Sequence, residues 1–198
     1  MSLLDLHGRS LESAAAVVDT VQPEQLVLPT PCAGRSLRRL LEHLVGRHLE
    51  LAAAASGAGP DPALRRGVPV HGDPAGAFRH SAARLTAALA AAAPHRAPLR
   101  LPDVHDGAPL PFDRAVGLHL LDTLVHAWDV AAALGSPARL IASVEGDPPL
   151  VAALLAAAAD RPRGRASAAV RPVAEPAGPF ERTLALLGRD PAWALPAR

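Results

Sequence analysis

Lysine and tyrosine are absent from this sequence of 198 residues, and cysteine occurs once, as Cys32. Without lysine the chain cannot form a lysine Schiff base, and it lacks the lysine of P-loop and kinase-type phosphate sites. A single cysteine cannot form an internal disulfide. With only three Phe and two Trp, the chain also has few side chains on which the bases of single-stranded nucleic acid could stack.

Neither sign of charge is in excess, because the chain has 20 arginines and 19 acidic residues and its net charge is +1. No arginine run is interleaved with aromatic residues, so nucleic acid is not an expected partner. Residues 1–28 do not combine a basic start with an apolar run. Apolar stretches such as Leu150 to Ala159 are shorter than the roughly 20 residues of a membrane span. We therefore expect a cytoplasmic protein without a membrane segment.

Helical periodicity dominates the chain, and segments rich in Pro and Gly separate the helical stretches. The predicted helices run from Leu4 to Val21, from the N-cap Ser36 to about Ser56, from Ala75 to Ala92, from Asp113 to Leu134 and from Asp147 to Asp160, with a short helical piece near Phe180 to Leu187. Leu99 to Leu110, with Asp106 and Gly107 between short apolar pieces, predicts a small hairpin.

The length fits one domain with a single core. We predict an all-α fold in which residues 1–160 form a four-helix bundle with a fifth helix. Residues 161–198 are rich in proline and are predicted to form a short extension packed on the bundle. Apolar helix faces also offer surfaces through which a homodimer could form.

The fourth predicted helix carries a stripe of short polar side chains in a leucine-rich sequence. In the run LHLLDTLVHAWDVAAA, residues 118–133, His119, Asp122, His126 and Asp129 fall on one helix face. Asp122 and His126 are four residues apart, so they project from neighbouring turns and could hold one ion together. Two ligands here and a third from elsewhere make a three-ligand site with an open position, which is typical of catalytic zinc.

A second interpretation of this stripe is the solvent face of an ordinary amphipathic helix. The opposite face carries Leu120, Leu124 and Trp128, as such a helix requires. Exposed helix faces usually carry long Arg, Lys and Glu side chains, however, and this one carries none. The spacing alone leaves both interpretations open.

The second predicted helix faces the fourth in a bundle, so it is the expected source of a third ligand. It offers His43 and His48. On a helical wheel His48 lies in the middle of the leucine face, whereas His43 lies at its edge beside Leu40 and Arg47. Geometry therefore favours His48 as the inward residue, and the alternative for a histidine on an apolar face is a core residue without a metal.

Three separated motifs resemble one protein family. They are TPCAGRSLRRLLEHLVG at residues 30–46, LDTLVHAWDVAAALG at 121–135 and LLGRDPAW at 186–193. Together they are similar to the actinobacterial, metal-binding branch of the mycothiol-dependent maleylpyruvate isomerase N-terminal domain family. That family belongs to the DinB-like four-helix bundles, so the resemblance implies this fold.

The resemblance also implies a site. In the family a divalent metal, usually zinc, is held by a histidine of the second-helix motif and by an acidic residue and a histidine four apart on a later helix. These positions match His43, Asp122 and His126 here, and His48 then becomes a core histidine. Such ligands also suit nickel, iron or cobalt. The implied cofactor is mycothiol or another small thiol, which the metal activates to attack an electrophilic substrate.

Several roles remain open at the level of sequence. His119 or Asp129 could act as a general base or could orient His126. Cys32 lies just before the second helix, where the helix dipole favours a thiolate, and no catalytic role is assigned to it. The alternative to a thiol-dependent transferase or isomerase is a non-enzymatic metal-binding or interaction protein.

Overall fold

The fold was obtained as a computed structural model that describes residues 1–32, 34–59, 61–70, 72–101, 108–161 and 169–195. In chain order the elements are α1 (Leu3–Val18), a 3₁₀ turn (Pro23–Val27), α2 (Leu37–Ala55), α3 (Pro62–Arg65), α4 (Pro74–Ala92), β1 (Leu99–Arg100), β2 (Pro109–Leu110), α5 (Phe112–Ala133), α6 (Pro137–Glu145), α7 (Pro148–Ala159) and α8 (Pro179–Leu186). The prediction of an all-α fold is confirmed.

The bundle consists of α1, α2, α4 and α5. Helix α1 packs on α5 and α4, and α2 packs on α4 and α5. The main core lies between them and contains the leucine face of α2 together with Phe78 of α4 and Trp128 of α5. This arrangement sets the polar stripe of α5 opposite α2, where the sequence predicts the site.

Side-chain caps mark the beginnings of three of the four bundle helices, α1, α2 and α4. Ser2 and Asp5 form a capping box at the start of α1, and the Ser36 side chain accepts a hydrogen bond from the backbone N–H of Arg39 in α2. Asp73 caps α4 in the same way, with a proline in its first turn. Each cap satisfies backbone donors that a helix N-terminus leaves unpaired. The predicted start of α2 behind Ser36 is confirmed.

The structure differs from the sequence-based elements in three places. Helix α1 ends at Val18 rather than Val21, and α3 lies inside the segment expected to be a loop. Helix α6 is a missed element, because Gly135, with φ +72°, ends α5 and Pro137 begins a new helix rather than a loop. The first-turn position is one that proline tolerates in a helix, so Pro137 marks a start as well as a stop.

The predicted hairpin is present as two short antiparallel strands, with Leu99 paired to Leu110 and Arg100 to Pro109. Its predicted turn at Asp106 and Gly107 lies outside the described residues. After the bundle, α8 packs on α6 and α7. Within the described ranges no single helix has the length and apolar composition of a membrane span, and only α6 and α7 taken together, across a bend of 100°, meet that test.

Gly46 allows α2 to approach the chain that follows it, since a Cβ at this position would overlap the backbone carbonyl oxygen of Leu64. We expect Gly46→Ala to lower the free energy of unfolding by about 1–3 kcal/mol, because a backbone atom cannot move aside without strain. Gly8→Ala in α1 is the matched control, since its Cβ would meet nothing within 4 Å and alanine favours the helix. Thermal unfolding of both variants checks this, and equal melting temperatures would contradict it.

Candidate metal centre

The polar stripe of α5 faces the protein interior. The residues His119, His126 and Asp129 are 6%, 6% and 0% exposed, while the side chain of Asp122 is 37% exposed. The interpretation of this stripe as a solvent face is therefore wrong. Buried polar side chains need partners, and the stripe finds them in two separate groups.

The first group joins His43 of α2 with Asp122 and His126 of α5. One ligand atom from each residue lies within 4.8 Å of the other two. The rings of His43 and His126 meet edge to face with centroids 5.4 Å apart, and His126 Nε2 lies 3.4 Å from Asp122 Oδ1. Ligands about 2.1 Å from a tetrahedral zinc ion lie about 3.4 Å from each other. The donor set and its spacing thus fit a divalent metal.

His126 has a fixed orientation because both ring nitrogens face carboxylates. Nδ1 donates to Asp129 Oδ2 at 2.9 Å, which leaves Nε2 toward Asp122. Burial lowers the pKa of His126, but the two carboxylates outweigh burial and raise it to about 10. Burial likewise opposes ionisation of Asp122, and the charge of His126 holds the pKa of Asp122 well below its usual value. A divalent cation is therefore suited to replace the proton on Nε2, because metal ligands bind deprotonated.

His43 is the neutral member of the group. Burial lowers its pKa to about 4, against the opposing effect of the Asp122 charge. A neutral imidazole is the form of histidine that ligates a metal. At neutral pH the group therefore presents a free imidazole nitrogen, a carboxylate and the oriented His126 ring.

His48 lies elsewhere in the core. It is fully buried, its Nδ1 lies 2.9 Å from Ser81 Oγ, and it packs edge to face on Phe78. Because the Ser81 hydroxyl donates to the Phe78 carbonyl, Nδ1 of His48 must carry the proton that Ser81 Oγ accepts. Its Nε2 has no hydrogen-bond partner among the residues that the structure describes. The inward position predicted by the helical wheel is correct, but the structure does not bring His48 into the group with Asp122 and His126.

His119 belongs with His48 and with His7 of α1, which was not among the predicted site residues. His119 Nδ1 lies 3.0 Å from His7 Nε2 and 3.2 Å from Thr123 Oγ1, and the rings of His48 and His119 are 5.4 Å apart. We call His7, His48 and His119 the histidine cluster. The signal for His7 was its position four residues before Leu11 on the apolar face of α1, where a polar residue must find a buried partner.

Burial keeps the histidine cluster neutral. It lowers the pKa of His7 to about 4 and that of His48 to about 3. The pKa of His119 is held well below its ordinary value by burial and by the neighbouring histidines. The partners of His119 Nδ1 are His7 and Thr123, whereas His126 Nδ1 bonds to Asp129, so the residue that orients His126 is Asp129.

Asp129 is also held by Arg189, which follows α8. Arg189 Nε donates to Oδ1 at 3.1 Å and Nη2 donates to Oδ2 at 2.9 Å. Cys32 forms a second group of metal-ligand types with His126 and Asp129. A cation there would have to displace the guanidinium from a carboxylate whose oxygens are already paired. The group with His43 is therefore the better metal position.

Cys32 lies at the edge of the site and is partly buried. Its Sγ is 3.9 Å from Nη1 of Arg35. Arg189 is a site residue that was not predicted, although the motif LLGRDPAW contains it. The sequence shows where this motif lies along the chain, whereas its contact with α5 forms only in the folded protein.

The fold and this site define a DinB-like four-helix bundle in which two histidines and an aspartate meet between α2 and α5. The model of the mycothiol maleylpyruvate isomerase N-terminal domain matches residues 7–131, which include all three of these residues. The chain belongs to this family.

Two relatives cover almost the whole chain. They are the uncharacterized proteins MT0763 and Rv0738 of Mycobacterium tuberculosis, from strains CDC 1551 / Oshkosh and ATCC 25618 / H37Rv. Each is 31% identical over 195 residues, which is 96% of this chain and 98% of the relative. A crystal structure of the mycothiol-dependent maleylpyruvate isomerase superimposes with a TM-score of 0.60 at 17% identity, over 80% of this chain and 68% of that one. This likeness shows a shared fold.

Proposed function

We propose that this protein binds a divalent metal through His43, Asp122 and His126 and acts as a mycothiol-dependent isomerase or transferase. The observation that carries the proposal is the convergence of the three ligand atoms within 4.8 Å, with His126 already oriented by Asp129. The family is the second support, because its name joins mycothiol to an isomerase.

Zinc is the metal that these ligands suit best, and nickel, iron or cobalt would also fit. His43, Asp122 and His126 would hold the ion with three protein ligands, and a zinc ion held in this way would supply the positive charge that lowers the pKa of a bound thiol. His43 and Asp122 are the partly exposed members of the group, and His126 is the buried one. The substrates are then a small thiol and an electrophilic molecule that the thiol attacks.

The side chains around this group prepare its ligand atoms for metal binding. His126 gives up its Nε2 proton when the metal binds, and Asp129 keeps the Nδ1–H in place, since a hydrogen-bonded second nitrogen fixes the tautomer of a metal-ligating histidine. His43 needs no deprotonation, because burial keeps its pKa near 4. One proton therefore leaves this group for each ion bound.

Calorimetric titration of the zinc-loaded protein with mycothiol tests the proposal. We expect one binding site and the release of about one further proton, measured from the dependence of the heat on the buffer. S-methylated mycothiol is the matched control, because it has no thiol proton to lose, and it should bind more weakly and release none.

Two results would contradict the thiol chemistry. One is the absence of binding heat with mycothiol while zinc stays bound, which would favour a metal-binding protein without thiol activity. The other is equal binding of mycothiol by a folded His126→Ala variant that holds no metal, because it would place the thiol away from the metal centre.

A further inference from the structure

We propose that Arg189 is a positioning residue of the metal centre, through which the C-terminal segment fixes the orientation of His126. This inference rests on the proposed metal site. Arg189 lies 60 residues beyond Asp129 in the chain and outside the part that the family model matches, residues 7–131. The centre would thus include a residue from beyond the bundle.

The contact between Arg189 and Asp129 is a two-point fork. Both carboxylate oxygens accept from the guanidinium, at 3.1 and 2.9 Å. Asp129 is fully buried, and the Arg189 side chain is 16% exposed. Bidentate pairs of this kind fix geometry as well as charge, so rotation of the Asp129 carboxylate would break two hydrogen bonds.

The same carboxylate holds His126. Oδ2 of Asp129 accepts from Arg189 Nη2 at 2.9 Å and from His126 Nδ1 at 2.9 Å. By holding Asp129 Oδ2 in place, the guanidinium of Arg189 therefore also fixes the imidazole ring of His126, which donates to that oxygen. Within the described part of the chain, the carboxylate without Arg189 would keep only its bond to His126. It could then rotate, and the direction of His126 Nε2 would be less well fixed.

The end of α8 places Arg189 at this point. Gly188 adopts φ +81°, a left-handed conformation that favours glycine. Its N–H donates to the Ala185 carbonyl, and the N–H of Arg189 donates to the Leu184 carbonyl at 2.9 Å. This pair of bonds is the Schellman closure of a helix C-terminus. The end of α8 therefore fixes the backbone of Arg189 independently of the contact between its side chain and Asp129.

Cobalt(II) binding tests the inference, because its visible spectrum reports the geometry of the ligands and requires no enzyme activity. We expect Arg189→Met to weaken cobalt affinity about 10-fold, in the range found for residues that support metal ligands, and to change the visible bands. Arg182→Met is the matched control, since Arg182 lies on α8 and pairs with the exposed Glu175. It should leave affinity and spectrum as in the wild type.

A double-mutant cycle separates positioning from general stability. In an Asp129→Ala background Arg189→Met should cause no further loss of cobalt affinity, because both act through one contact. Arg189→Lys keeps the charge without the fork, so it should also show altered bands. It serves as the test variant if Arg189→Met does not fold.

The experiment distinguishes failure of the role proposed for Arg189 from failure of the proposed metal centre. Wild-type affinity and spectrum in folded Arg189→Met, or independent losses from Arg189→Met and Asp129→Ala, would overturn the role of Arg189 and leave the metal centre intact. Absence of cobalt binding by the wild type, after removal of any metal already bound, would overturn the proposed centre and this inference with it.

Discussion

His126→Ala is expected to abolish tight metal binding, leaving a folded protein without a bound ion. The variant retains only His43 and Asp122, whose ligand atoms belong to different helices. Zinc sites bind with apparent free energies of about 10–16 kcal/mol shared among about four ligands, so the loss of one ligand lowers affinity by about 100-fold or more. His43→Ala should have the same effect, since it removes the ligand that α2 contributes.

Elemental analysis of protein purified without an affinity tag, and again after reloading with zinc, measures the effect. We expect about one metal per wild-type chain and none in either variant, with the helical content checked by circular dichroism. The wild type without metal, even after reloading, would contradict the prediction.

His48→Ala supplies the comparison within the same helix. It removes a fully buried ring that packs on Phe78 and is not part of the metal group. We expect it to keep one metal per chain and to lower the free energy of unfolding by about 2–5 kcal/mol, as other large-to-small core substitutions do. Loss of metal in His48→Ala together with retention in His43→Ala would overturn the ligand assignment.

The sequence predicted the bundle well because its signals were local. The cap at Ser36, the leucine period of α2 and the left-handed Gly135 after α5 each act within one or two helical turns. The same is true of Asp122 and His126, which are neighbours on one helix face wherever that helix lies. Helix α6 was missed because residues 135–146 were taken as one of the segments rich in Pro and Gly that separate helices, although Pro137 occupies the first turn of the next helix.

The site was predictable only in part because its other members come from distant parts of the chain. The leucine periodicity of α2 favoured His48 over His43, because periodicity indicates which side chains are buried and not where along the bundle they point. The resemblance to the family favoured His43, and the structure places its ligand atom with those of Asp122 and His126. Nothing in the local sequence connects Arg189 with Asp129, because that contact exists only after α8 has folded back onto the α6–α7 pair.

The histidine cluster makes acid instability the second large expectation. Burial lowers the pKa of His7 to about 4, that of His48 to about 3 and that of His119 well below 6.5. Unfolded histidines titrate near 6.5, so below that pH the unfolded state binds more protons than the folded one. Stability is then complete above about pH 6.5 and is lost as the pH falls toward 4.

Within this window each of the three histidines lowers the free energy of unfolding by about 1.4 kcal/mol per pH unit as the pH falls. His43 acts in the same direction. His126 does not oppose them there, because a histidine whose pKa is raised to about 10 is protonated in both states below pH 6.5. The three histidines of the cluster together remove about 4 kcal/mol per pH unit, so a domain at the lower end of the usual range of about 5–15 kcal/mol would unfold about one to two pH units below pH 6.5.

Urea unfolding of the metal-free protein between pH 7.5 and 4.5, followed by circular dichroism, measures this slope. His48→Gln should reduce the slope by up to about 1.4 kcal/mol per pH unit, because it removes one of the buried titrating groups. The control is His80→Gln on the exposed face of α4, a substitution of the same kind that leaves the three histidines of the cluster in place. A wild-type stability that stays constant from pH 7 to 5 would mean that the cluster takes up protons in the folded state, contrary to its burial among α1, α2 and α5.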